Sequence, residues 1–327
     1  MDRCITYCTN VFVPLTTVCS NACAYCGFRK DIGAGAHLMS EHEVGVLLSR
    51  AAGRATEALL TFGDRPQAVE GFTQLLDGMG YVSFLAYIRR MCRLAIEYGL
   101  LPHTNAGVLT GQEMECLKPF NASMGLMLES TARLRAHEKS PQKEPRRRIR
   151  MIKDAGRLEI PFTTGVLVGI GENEKDREGA LKVIARLHEH YGHIQEVIVQ
   201  NFSPKAGTAM EHHPPPDVEE MVHTVHMARQ ILPDDVAVQV PPNLVDTRRM
   251  VEAGANDLGG ISAITLDYIN PESTWPSPEA IRQSLGGYIL KERLSVYPQY
   301  VQKGWYGSAT ALPVERLADA GGLRKVQ

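Results

Sequence analysis

Cys19-Ser20-Asn21-Ala22-Cys23-Ala24-Tyr25-Cys26-Gly27 sets three cysteines in a C-x3-C-x2-C spacing near the start of the chain. At that spacing a single loop brings three thiolates to one metal centre. Soft thiolate ligands select zinc or iron–sulfur clusters, and three of them leave one iron of a cubane 4Fe-4S cluster without a protein ligand. A structural zinc knot is the competing reading. Such knots close with four ligands, commonly from two C-x-x-C knuckles, and no second knuckle follows downstream. Cys4 and Cys8 precede the loop across the apolar run Val11-Phe12-Val13-Pro14-Leu15, and at that distance a separate role or simple burial as small hydrophobes is expected rather than a fourth ligand.

Working outward from the loop, residues 10–16 read as a first strand, so the cysteines follow its carboxyl end. Ser40 with Glu43 forms a capping-box pattern that opens a helix. Further strands are expected at 57–62, 100–105, 121–128, 162–168, 196–201, 236–240 and 261–265. Helices are expected at 84–98, 146–158, 175–191, 217–232 and 244–253, with a closing helical segment from 279 to 285. Eight alternating units without a low-complexity linker predict one α/β domain over 1–327, a single (β/α)8 barrel of the TIM type. The cluster loop lies at 19–27 and a C-terminal helical extension begins at about 277. Barrels of this kind place chemistry at the carboxyl ends of their strands. Residues 138–145, polar and carrying two prolines, read as the least ordered stretch; His212-His213-Pro214-Pro215-Pro216 reads as a stiff connector without function.

Of the 327 residues 44% are hydrophobic, ample for one core, and 22% are charged with a formal net charge of −2. That balance offers no basic field for a nucleic-acid backbone, so nucleic acid is not an expected partner. Seven cysteines, three of them committed to one loop, do not form a disulfide framework, and an iron–sulfur cluster needs reduced thiols. Cytoplasmic localisation follows as the expectation. No signal-like amino-terminal pattern is present and no uncharged apolar run reaches the ~18 residues that span a bilayer, so no membrane association is expected.

The cysteine spacing, with Tyr25 just before the third cysteine, resembles the radical S-adenosyl-L-methionine (SAM) superfamily. The resemblance implies a 4Fe-4S cluster on Cys19, Cys23 and Cys26, with SAM bound through its amino and carboxylate groups to the open iron and with Tyr25 beside it. Gly63-Asp64, after the second strand, stands where a Gly-Glu pair in that superfamily receives the methionine ammonium; the same Gly-Asp-Arg-Pro is also good turn chemistry. Glu129-Ser130, after the fourth strand, falls where related barrels contact the SAM ribose, and a carboxylate can accept from both hydroxyls. Gly165-Val166-Leu167-Val168-Gly169-Ile170-Gly171-Glu172 resembles the glycine-rich fifth-strand motif on which the adenine packs, with Gly169 at its centre. It lacks the turn, helix and later ribose acid of a dinucleotide fingerprint. His103 and Asn105 after the third strand, and Asn201 with Gln200 and Lys205 after the sixth, are the candidates for meeting a polar substrate; the alternative is that they are satisfied barrel-mouth residues.

Longer strings narrow the resemblance. Thr61-Phe-Gly-Asp-Arg-Pro, Leu101-Pro-His-Thr-Asn-Ala-Gly-Val, Ser123-Met-Gly-Leu-Met-Leu-Glu-Ser, Glu196-Val-Ile-Val-Gln-Asn-Phe, Leu258-Gly-Gly-Ile-Ser and Asn270-Pro-Glu look like the 7,8-didemethyl-8-hydroxy-5-deazariboflavin (Fo) synthase family, CofG type, over nearly the whole chain. The resemblance implies a lyase whose substrate is a small-molecule adduct, the tyrosine-derived hydroxybenzyl adduct of 5-amino-6-ribitylaminouracil. A 5′-deoxyadenosyl radical takes a hydrogen atom from it, and ring closure and loss of ammonia follow. It also implies a CofH partner subunit that makes the adduct and an electron donor protein. His103, Asn105 and Asn201 would then face the adduct, and Tyr25, Gly63, Asp64, Glu129, Ser130 and Gly169 would surround SAM. Two other readings stay open here: a menaquinone-pathway type radical SAM enzyme acting on another aromatic adduct, and a non-catalytic iron–sulfur electron carrier.

Overall fold

A computed structural model describes residues 4–325; residues 1–3 and 326–327, the ends of the expected single domain, lie outside the described residues. Eight parallel strands close into a barrel: β1 (Cys4–Thr16), β2 (Glu57–Phe62), β3 (Leu101–Asn105), β4 (Ser123–Gly125), β5 (Phe162–Val168), β6 (Ile194–Asn201), β7 (Ala237–Gln239) and β8 (Asp257–Ile261). Each pairs with the next, and β1 closes the ring by pairing with β8 on one edge and β2 on the other. β5 is buried along its whole length, as a strand covered on both faces must be, and it is apolar but for two threonines.

Helices clothe the ring: α1 (Glu41–Ala51), α2 (Phe72–Gly78), α3 (Phe84–Glu97), α4 (Gly111–Leu117), α5 (Pro145–Arg157), α6 (Glu174–Tyr191), α7 (Val218–Ile231) and α8 (Thr247–Ala253). Their starts are chemically marked. Ser40, Thr110 and Asn173 complete capping boxes with Glu43, Glu113 and Asp176, which satisfies amide groups that a helix leaves unpaired at its first turn. The apolar faces of these helices and the outward faces of the strands form one continuous core.

The carboxyl-terminal extension contains helices α9 (Pro278–Leu285), α10 (Pro298–Lys303) and α11 (Ala311–Leu317), and also a ninth strand, β9 (Ile289–Glu292), that the sequence reading did not expect. β9 runs parallel to the first residues of β1, Cys4 to Tyr7. It lacks a buried face, so it carries no apolar alternation to announce it. Leu294, Val296, Tyr297 and Tyr300 then pack against Leu101 and Ala237, at the starts of β3 and β7, and close the barrel from below.

Three further expectations shift. β1 begins at Cys4, since its lower half is needed to pair with β9. The eighth strand lies four residues before the expected 261–265, because Ser262 Oγ instead accepts from the amides of Ile264 and Thr265 and turns the chain. Residues 138–145 are tied down: Ala22 N donates to Lys139 O at 3.0 Å, and Gln142 N donates to Asn21 Oδ1 at 2.9 Å.

Candidate active site

The cysteine loop lies above the barrel mouth and is stitched to three neighbouring segments. Ser20 N donates to Asp64 O at 2.8 Å, Ala24 N to Ala136 O at 2.9 Å, and Met210 N to Ala24 O at 3.0 Å. Gly63 is required for this fit, because a Cβ there would fall 2.0 Å from Val18 O and 2.6 Å from Cys19 Cβ. A small apolar cluster of Ala136, Leu167, Ile170 and Phe202 backs the loop at Ala24 and Tyr25.

The sulfur atoms are furnished with donors. Cys19 Sγ accepts from Asp64 N at 3.1 Å and Asn21 N at 3.4 Å, and Cys23 Sγ from Ser140 Oγ at 3.2 Å. Burial pushes the Cys19 thiol up to about 11 and raises that of Cys23 despite nearby Lys143. Buried thiols of this kind ionise when a metal supplies the missing positive charge. No three Cys, His, Asp or Glu side chains among the described residues converge on one ion-sized point. Three thiolates, two of them supplied with N–H or O–H donors, suit a cubane in which each thiolate takes its own iron. The donor set therefore fits an iron–sulfur cluster.

Around the loop runs a buried chain of charges. Glu129 accepts from Tyr25 Oη at 2.8 Å, lies 3.0 Å from His137 Nε2, and pairs with Lys143; Arg148 stands 4.0 Å away. Burial alone would raise the Glu129 carboxyl, but Lys143, His137 and Arg148 outweigh it and hold it well below the usual carboxylate range. Burial and Glu129 together push the Tyr25 hydroxyl far up, so it stays a donor. Arg148 continues the chain to Asp64, 3.3 Å away. Glu129 holds a left-handed backbone, φ 66°, fixed by Glu129 N donating to Gly165 O and Leu167 N donating to Glu129 O.

Below the loop a cavity of about 400 Å³ descends into the barrel. Tyr25, Cys26, Glu129, His103, Asn105 and Asn201 line it, so these six expected residues do meet around one space. His103 Nδ1 lies 2.7 Å from Ser123 Oγ, and burial pushes its imidazole down to about 3, so the ring is neutral. Asn201 Oδ1 is buried without a hydrogen-bond partner among the described residues.

Other expected residues are turned elsewhere. The Asp64 carboxylate accepts from Val108 N at 2.9 Å and from Asn21 and Arg148 at 3.3 Å each, and it braces the cysteine loop rather than facing the cavity. Ser130 Oγ accepts from Ala132 N at 3.1 Å, a local turn. Gly169 packs on Pro216, and its amide donates to Glu172 Oε1 at 2.8 Å. Cys4 and Cys8 lie in the lower half of β1, away from the loop. Sequence reasoning missed His137, Ser140, Lys143 and Arg148. His137, Ser140 and Lys143 lie within or beside the stretch read as loose, where helical or strand periodicity carries no information, and Arg148 lies on the expected helix 146–158, where a charged residue reads as solvated although it is buried.

A model of the radical SAM superfamily matches residues 13–184. The chain is 54% identical over 323 residues to 7,8-didemethyl-8-hydroxy-5-deazariboflavin synthase of Methanosarcina mazei, covering 98% of this chain and 96% of the relative. It is 55% identical over 325 residues to the synthase of Archaeoglobus fulgidus, covering 98% and 99%. Among solved structures, the FeFe-hydrogenase maturase HydG from Carboxydothermus hydrogenoformans superposes with a TM-score of 0.69 over 96% of this chain and 78% of that one, at 16% identity, a likeness of fold. A barrel closed by β1, a three-cysteine loop at its mouth and near full-length identity above one half place this chain in the radical SAM superfamily and, within it, in the 7,8-didemethyl-8-hydroxy-5-deazariboflavin synthase family.

Proposed function

We propose that this protein converts the hydroxybenzyl adduct of 5-amino-6-ribitylaminouracil into 7,8-didemethyl-8-hydroxy-5-deazariboflavin, with ring closure and loss of ammonia. The observation that carries the reading is the 54% identity to a synthase of that name across 98% of the chain. Cys19, Cys23 and Cys26 would hold a 4Fe-4S cluster, for which two of their sulfurs already carry N–H and O–H donors. When bound there, the cluster and SAM would supply the radical chemistry that opens the conversion of the adduct.

The chain's own residues bind, orient and exclude water. Glu129 and Tyr25 stand on the cavity wall beside Cys26 and are the residues we assign to SAM, with Glu129 held ionised by its cations so that it can accept from ribose hydroxyls. Gly63 and Asp64 hold the cysteine loop in place, and Ser130 and Gly169 keep to contacts with Ala132, Pro216 and Glu172. His103, kept neutral by burial, and Asn105 and Asn201 offer uncharged hydrogen-bonding groups to the adduct. The apolar cluster under the loop and the barrel wall keep water from the reacting atoms. An electron donor protein and a CofH partner that makes the adduct belong to this reading, as does a reducing compartment such as the cytoplasm. No helix among the described residues is long and apolar enough to cross a membrane.

The test is anaerobic. Reconstituted protein is given reductant, SAM and the adduct, and the product is identified by deazaflavin absorbance, fluorescence and mass. Appearance of the deazaflavin is the expected result; its absence in a sample with an intact cluster contradicts the reading.

A further inference from the structure

The cavity does not end where the expected substrate residues stand. It continues past an apolar belt to a polar layer near the barrel floor, and the register explains why. Asn10 pairs with Glu57; two residues on, Phe12 pairs with Leu59; two further, Pro14 pairs with Thr61. Side chains two apart along a strand share a face, so Asn10, Phe12, Glu57, Leu59 and Thr61 all point inward, in tiers. Ser295, from the segment after β9, reaches the same cavity from the carboxyl-terminal extension.

The floor has two kinds of polar group. Arg293 is committed to the fold: it donates to both oxygens of Asp257 at 2.6 and 2.8 Å, to Glu196 at 2.9 Å and to Leu294 O at 3.0 Å. It ties the extension to the barrel. Asn10 Oδ1 and Ser295 Oγ, in residues each only 2% exposed, are buried with no hydrogen-bond partner among the described residues, yet both residues line the cavity. Glu57, 6% exposed, lines it beside them, with the Cys8 thiol as a hydrogen-bond neighbour. Gly260 makes room for this arrangement, since a Cβ there would fall 2.1 Å from Asn10 Nδ2; the adjacent Gly259 does the same for Gln239, at 2.2 Å from its Nε2. The Leu258-Gly-Gly-Ile-Ser string thus clears space for two inward amides.

We infer that Asn10, Glu57 and Ser295 seat the ribityl chain of the adduct at the barrel floor, an inference that rests on the function proposed above. Buried polar atoms without partners cost free energy unless a ligand or water meets them. A row of hydroxyls, each both donor and acceptor, matches acceptors of this kind. An anionic ligand would meet Glu57 and Glu196 in a buried layer, and an apolar one would leave the acceptors unpaired. The belt of Phe12, Leu59 and Ile198 above suits a flat ring, which leaves the hydroxybenzyl end at the mouth beside the cysteine loop. Burial raises the Glu57 carboxyl to about 7, so it can serve a hydroxyl as donor or acceptor.

The experiment compares kcat/KM for the adduct with that for an analogue whose side chain is a plain pentyl group, in the wild type, Ser295→Ala and Glu57→Gln. Ser295→Ala removes a hydroxyl that bonds nothing among the described residues, so loss of folding does not cloud it. The wild type is expected to prefer the ribityl adduct by about a hundredfold or more, and each variant to shrink that preference by about tenfold, chiefly through KM. A wild type that does not discriminate, or variants that both keep the full preference, overturn the assignment, as water filling the floor would do. A wild type that turns over neither compound overturns the proposed function itself, and the floor assignment with it.

Discussion

The mouth and the floor of this barrel both bury charged and polar groups, but they differ in what satisfies them. At the mouth, Glu129, Tyr25, His137, Lys143, Arg148 and Asp64 are bonded to one another and to the cysteine loop. At the floor, Arg293 is bonded to Asp257 and Glu196, while Asn10 and Ser295 keep atoms with no partner among the described residues. A saturated network holds a shape, because removing one member strands the others. An unsaturated layer is built for something that arrives. The charge network at the mouth therefore reads as scaffold that fixes the groups assigned to SAM, and the unpartnered atoms, on Asn201 above and on Asn10 and Ser295 at the floor, read as recognition.

The largest expected effect sharpens the mouth. Cys19→Ala, Cys23→Ala or Cys26→Ala should each abolish both the cluster and 5′-deoxyadenosine formation; full activity in any one of them removes that residue from the ligand set. Next, Arg148→Met leaves Asp64 without its buried cation and takes the more distant of its cations from Glu129, and it should destabilise the fold by about 3–5 kcal/mol. Denaturant titration of the apo protein checks this, and a loss below about 1 kcal/mol would make the network ornamental.

Glu57→Gln breaks the comparison from the other side. Burial raises the Glu57 carboxyl to about 7, above its ordinary 4.5. Between those values the folded state keeps a proton that the unfolded chain has lost, so wild-type stability falls as pH rises from 4.5 through 7. Glutamine removes that dependence, and the variant should gain roughly 3 kcal/mol on the wild type between pH 4.5 and pH 8, at about 1.4 kcal/mol per pH unit. Parallel stability curves would show that the floor carries no strained carboxyl. The smallest effect belongs to Ser140→Ala, which deletes one O–H donor to Cys23 Sγ. The cluster should still assemble, with a changed reduction potential and about 1 kcal/mol or less of lost stability; an unchanged potential would take Ser140 out of the ligand's surroundings.

Much of this molecule is legible in its residues. β2 and β5 follow from their apolar runs with the expected ends, and α1 follows from Ser40 and Glu43. The cysteine loop announces itself by spacing. β9 does not, since a strand that hides neither face leaves no alternation. Nor does the clamp from 136 to 148, because Ser140, Lys143 and Arg148 matter through contacts with residues such as Cys23, 117 positions away from Ser140. Asp64 stands beside the predicted turn, yet which way its carboxylate faces depends on Arg148 and Val108. The floor was hidden for the same reason: Asn10 and Glu57 meet only once β1 and β2 pair, and Ser295 only once the extension folds back beneath them.

The most direct measurement is the ratio of 5′-deoxyadenosine to deazaflavin over the first turnovers of anaerobically reconstituted protein, with and without the adduct. A barrel that aims a radical made at its mouth at an adduct seated on its floor should form the two products in a fixed ratio, with 5′-deoxyadenosine formation rising sharply when the adduct is present. Formation of 5′-deoxyadenosine at the same rate with or without the adduct, and with no deazaflavin, would contradict it.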